Sequence, residues 1–226
     1  MSGLRKFTNY TRAEANEVAQ TFVAEARQVK PTAADTELWT EWVLDWFADA
    51  ASTEVVVDAR GSRCAGASVG RQYVLSRTDF HAGWAVTRTT GGEFLVDLCH
   101  TTFPKYEGDW GSRAYWERAF VNPKQPPTIQ LALESEFGSS TSEELNLHRV
   151  MEDASKLLVL RARVKVMVFA SVHRDNRQKI LALARQIAGH DRGRETTWVW
   201  IDLPWGDAWT GERTPERWVF PTAPQT

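Results

Sequence analysis

The stretch "IQLALESEF", residues 129–137, carries two acids at the end of an apolar run. On an extended strand Glu134 and Glu136 point to one side with Ala132, and Leu131, Leu133 and Phe137 point to the other. Like charges at that spacing repel, and burying them is costly unless a proton or a cation intervenes. Asp97, in "EFLVDLCHT", is likewise one acid set among apolar neighbours. Carboxylates delivered to strand ends are the oxygen donors a hard cation such as Mg²⁺ or Mn²⁺ takes. The other reading of the same residues is plainer: glutamates exposed at a strand end and an aspartate capping a loop. Farther on, Arg149, Asp153 and Lys156 lie one helical turn apart. They fit surface ion pairs, but Lys156 borders the apolar Leu157 and Leu158, so its ammonium can snorkel toward the sheet edge.

The elements that must position these groups follow from patterning. "TRAE" is a capping box with Thr11 as N-cap and Glu14 reaching back. Ala15, Val18, Ala19, Phe22, Val23 and Ala26 then keep helical spacing up to Pro31. A second helix, "DTELWTEWVLDWFADAA", presents Leu38, Trp42, Val43, Trp46 and Phe47 on one face and an acidic stripe of Glu37, Glu41, Asp45 and Asp49 on the other. "EVVVDAR", "RQYVLSR", "GWAVTRT" and "EFLVDLCHT" read as strands of an antiparallel meander. "TIQLALESEF" is a further strand. A helix capped by Thr141 and Glu144 follows, then the strand "RVKVMVFAS", a helix "RDNRQKILALARQIAG" ended by Gly189, and the strand "TTWVWIDLPW". A β-α-β-α-β order implies parallel neighbours joined by crossover helices. The expected class is therefore α/β, one mixed sheet flanked by helices, with a tail "PERWVFPTAPQT" that frays at its end.

The 226 residues fit a single large domain, and a net charge of -2 supplies no global basic field for nucleic acid. Any polyanion contact must come from local clusters such as "RARVK", "HRDNRQK" and "HDRGR", each of which reads first as a solvated face. Cys64 and Cys99 form no CxxC pair, which suits free thiols in a reducing compartment. No apolar run is long enough to span a membrane, and "MSGLRKFTNYTRAEAN" lacks a signal-peptide core, so a cytoplasmic protein without membrane partners is expected. No P-loop, GxSxG or HExxH is present, and the histidines show no zinc-ligand spacing. The 11 tryptophans are expected mainly in the core. The cluster Trp198, Trp200, Trp205, Trp209 and Trp218 alternatively suits an aromatic binding platform.

Asp97 on one strand, "ALESE" on the next and the αβ unit behind it resemble the PD-(D/E)XK nuclease superfamily, over roughly residues 35–172. The resemblance implies a restriction-endonuclease-like fold across 1–226, with a helical extension at 1–34, a core at 35–172, and a helix, strand and Trp-rich tail at 173–226. It implies Asp97 and Glu134 as ligands of Mg²⁺ or Mn²⁺, Ser135 as the spacer and Glu136 where the family usually has Lys. Glu at that place is a departure that some restriction-enzyme branches share. In other variants the Lys comes from a neighbouring helix, and Lys156 is the matching residue. Glu41 is the matching residue for a further acid on the first core helix. The implied activity is metal-dependent hydrolysis of phosphodiester bonds in nucleic acid, with catalytic Asp97, Glu134, Glu136 and Lys156 and a possible homodimer. A non-catalytic interaction or regulatory domain on the same fold, favoured by the missing motif Lys, is the alternative.

Overall fold

Thr11 and Glu14 close the capping box. The Glu14 N–H donates to Thr11 Oγ1 at 3.2 Å, and the Thr11 N–H donates to Glu14 Oε2 at 3.0 Å, so two donors that the first turn leaves open are satisfied. In this computed structural model, residues 6–29, 36–50, 55–58, 96–102, 128–137, 142–172, 174–191, 196–203 and 214–222 are described. Helix α1 spans Arg12–Val29 and buries Ala15, Val18, Ala19, Phe22, Val23 and Ala26, the face its periodicity predicts. Helix α2 spans Thr36–Asp49.

Among the described residues six strands form one sheet whose spatial order is the chain order: β1 (Val55–Asp58), β2 (Leu98–Thr102), β3 (Thr128–Glu136), β4 (Ala162–Phe169), β5 (Thr197–Asp202) and β6 (Glu216–Pro221). The pairs β1–β2 and β2–β3 are antiparallel. The pairs β3–β4 and β4–β5 are parallel, and β5–β6 is antiparallel. Helix α3 (Glu143–Val159) crosses from β3 to β4, and α4 (Arg174–His190) crosses from β4 to β5. The chain is thus an α/β protein with a mixed sheet between two helical layers.

Alternation along the strands divides the core. Leu131, Leu133, Val164, Val166, Val168, Val199 and Ile201 pack with α1 and α2. Ala132, Met167, Phe169, Trp198 and Trp200 pack with α3 and α4. On the first side Phe22 meets Trp42, Trp46 and Phe47 with every ring centroid at 5.0 Å. Truncating such a residue to Ala costs about 3–5 kcal/mol. Tyr10, just before the α1 cap, has φ of 55°, in the left-handed region that strains a residue with a Cβ. It is held there by stacking on Phe7 at 4.8 Å and by a 3.0 Å bond between its hydroxyl and His100 Nδ1.

Several expectations are corrected. The α3 N-cap is Ser142, one residue past Thr141, and its hydroxyl accepts from Leu145 N–H. Helix α4 runs through Gly189 to His190, since a glycine within a helix weakens it without ending it. The tail "PERWVFPTAPQT", read without a strand, contributes β6, because Trp218 and Phe220 find partial burial against the α3–α4 side; its end, where fraying is expected, lies outside the described residues. Pro221 is tolerated as its last residue, on the sheet edge. Trp198 and Trp200 are fully buried, so they belong to the core and not to an exposed platform; Trp205 and Trp209 lie outside the described residues. So do "RQYVLSR", "GWAVTRT" and Cys64, and within the described residues β1 pairs directly with β2. No described helix is long and apolar enough to cross a membrane.

Candidate functional site

Asp97 was expected on a strand, and it sits in the bend just before β2 begins at Leu98. The ladder ends there for a local reason. Asp97 Oδ2 accepts from the Ser135 N–H at 2.8 Å and from the Ser135 hydroxyl at 2.8 Å, so a side-chain oxygen takes the donor that a backbone carbonyl of the neighbouring strand would otherwise receive. Leu98 pairs with Leu133, which puts Asp97 beside Glu134 at the C-terminal end of β3. That end of an α/β sheet is where ligands are usually held.

Glu134 is 1% exposed and, by alternation, shares the α3–α4 side with Ala132. Its Oε2 lies 3.7 Å from Lys156 Nζ, and the same ammonium is 2.8 Å from Asp153 Oδ1. Asp153 and Lys156 sit one turn apart on α3, so a single helical face delivers both to the sheet edge. The lysine does snorkel inward from a helix position bordering apolar residues. Asp97 belongs to the same electrostatic group. Burial pushes its carboxyl above the usual range, and the Asp153 charge adds to this; the two Ser135 hydrogen bonds and the Lys156 charge oppose it. Burial, not a like charge, is thus the main cause of the raised carboxyl pKa.

Glu136 ends β3 and is half-buried; its carbonyl accepts from the Ala170 N–H at 3.1 Å. Glu41 lies on α2, across the sheet from α3, and its side chain is outside the described residues. Among the described residues no three His, Cys, Asp or Glu side chains form a group that could hold a metal ion. Asp97 and Glu134 nevertheless suit Mg²⁺ chemically. Both are carboxylates, and Mg²⁺ is typically bound through one or two protein carboxylates with water and substrate oxygens completing its shell.

Two basic clusters expected on a solvated face are partly internal. Lys165 is 1% exposed and donates to Asp191 Oδ2 at 2.7 Å, which also accepts from Trp198 Nε1 at 2.7 Å. Arg177 reaches Asp202 at 3.2 Å and Glu216 at 2.8 Å. Asp202 in turn receives the Ser171 N–H at 2.8 Å and hydroxyl at 2.7 Å. Buried charges of this kind require partners. For Lys165 a signal was present, one lysine inside the apolar "VKVMVF", and the reading of "RARVK" as a solvated face passed over it. For Ser135, which holds Asp97, no signal existed, because its partner is 38 residues away.

Comparison of the chain with protein-family models, with curated proteins and with solved structures gives no match.

Proposed function

We propose that this chain is a metal-dependent nuclease on a restriction-endonuclease-like fold, hydrolysing phosphodiester bonds in nucleic acid. The observation that carries the reading is the meeting of buried Glu134, Lys156 and Asp153, in electrostatic reach of Asp97, at the C-terminal end of β3. An antiparallel β1–β2–β3 unit followed by a crossover helix and a parallel β4 is consistent with the fold proposed.

Asp97 and Glu134 would hold Mg²⁺ or Mn²⁺. When bound, such an ion supplies Lewis-acid polarisation of a phosphoryl oxygen and lowers the pKa of a coordinated water. Ser135 fixes the Asp97 carboxylate by holding Oδ2, which leaves Oδ1 to face a ligand. Lys156, ion-paired as an ammonium, contributes positive charge toward a phosphoryl oxygen and does not take a proton. Glu136, on the same side of β3 by alternation, is then the carboxylate that would receive the proton of the attacking water. A homodimer would let two copies act on two strands.

The test is incubation of end-labelled single- and double-stranded DNA and RNA with the protein in Mg²⁺, Mn²⁺ or EDTA. Divalent-dependent cleavage that Asp97→Ala abolishes is expected. Intact substrates in every condition would remove the nuclease reading and leave the second one, a non-catalytic interaction domain. That alternative is favoured by one feature: an internal ammonium already neutralises part of the acidic site.

A further inference from the structure

We propose that Lys156 is a built-in counter-ion that competes with a divalent cation for Glu134; this rests on the metal-dependent reading above. Glu134 is buried, so its charge must be compensated, and the ammonium beside it is that of Lys156. Two contacts of this ammonium are unequal. Its 2.8 Å approach to Asp153 is a charge-assisted hydrogen bond, whereas its 3.7 Å approach to Glu134 is longer than such a bond. Lys156 is therefore moored to the helix by Asp153 and only leans on the sheet carboxylate.

The arrangement has two consequences. Without a divalent ion, Lys156 offsets the Glu134 charge and keeps the sheet end from repelling itself apart. With a divalent ion, Glu134 exchanges a loose monovalent partner for a direct ligand bond, and the ammonium retains Asp153 as its anchor. The lysine side chain is 30% exposed, so it has room to move outward. Released from Glu134 but still moored, the ammonium stays at the edge of the site, where an incoming anionic substrate meets it.

Isothermal titration of Mn²⁺ tests this on the full chain. Lys156→Met is expected to raise Mn²⁺ affinity about tenfold, the removal of one close competing charge, and Lys156→Arg is expected to stay near wild type. Lys179→Met is the control for general charge, because Lys179 pairs with Glu143 at 2.7 Å on the outer surface; it should leave affinity unchanged. If Lys156→Met binds Mn²⁺ as well as or less well than wild type, or if Lys179→Met raises affinity equally, the competition is overturned while the metal site stands. If no form of the protein binds Mn²⁺, the metal reading falls and takes the inference with it. A second measurement needs no variant: the Lys156 ε-CH₂ resonance of wild-type protein should shift as Mg²⁺ saturates the site, and a resonance unmoved by bound Mg²⁺ would equally overturn the proposal.

Discussion

Ser135 gives both its backbone N–H and its hydroxyl to one oxygen of Asp97, each at 2.8 Å. The contact ties the start of β2 to the end of β3 and sets which Asp97 oxygen is left for a ligand. Ser135→Ala removes one of the two donors. The expected cost is about 1–2 kcal/mol of stability, read by urea unfolding. Cleavage should fall about tenfold as the carboxylate loses its fixed orientation. Ser135→Thr keeps the hydroxyl and should restore most of the activity; failure of that rescue would count against an orienting role.

His100 supplies a pH dependence. Its Nε2 lies 2.9 Å from the Phe47 carbonyl and its Nδ1 lies 3.0 Å from the Tyr10 hydroxyl. A carbonyl only accepts, so Nε2 carries a proton, and burial favours the neutral ring. Burial holds its pKa down to about 3, against 6.5 for an ordinary histidine. The unfolded chain thus binds a proton as pH falls below 6.5, and the folded chain resists it until about pH 3. Stability from this residue is complete above pH 6.5 and is lost as pH falls through that window, by on the order of 5 kcal/mol in total. Urea midpoints measured at pH 7, 5.5 and 4 should show the decline. His100→Gln, which can keep both hydrogen bonds, should flatten it.

The buried pair of Lys165 and Asp191 should behave asymmetrically. Asp191→Asn leaves an ammonium inside the α3–α4 layer without its counter-charge, for an expected loss of about 3–5 kcal/mol. The double variant Lys165→Met, Asp191→Asn should regain much of that, since an apolar side chain of similar length replaces the stranded charge. Equal destabilisation by the single and double variants would show that the aspartate acts mainly through Trp198 Nε1.

Cys99 lies on β2 with its thiol pushed up to about 12 by burial. Thiolate is the reactive form, so Cys99 in a Cys64→Ser background should resist a thiol reagent at pH 8 and become labelled only in denaturant. Rapid labelling of the native protein would contradict the packing of β2 under the helices.

Legibility in the sequence followed locality. The α1 cap could be read because Thr11 and Glu14 are three residues apart, and the two faces of β3 could be read because alternation is a short-range property. The division held where each neighbour was apolar. It failed where a distant partner decided the outcome. Lys165 looked like surface charge until Asp191 supplied its counter-ion. Asp97 looked like a strand residue until Ser135 claimed its carboxylate. The final strand was missed because "ERWVFP" is short and ends in proline, and only an edge place beside β5 makes it a strand. Of the candidate site, the acids and Lys156 could be chosen by type and spacing, while the mooring of Lys156 by Asp153 required the helix to be seen against the sheet.

The order of the strands bears on how the molecule is made. Among the described strands each lies beside its predecessor in the chain, so this sheet can grow by accretion as the polypeptide leaves the ribosome. The first helix is the exception: α1 packs against β5 and β6, and Arg27 bonds the Pro215 carbonyl at 2.9 Å while Arg217 bonds Gln20 at 3.3 Å. Helix α1 therefore completes its packing only once β6 is in place, through bonds that span 188 and 197 residues of sequence.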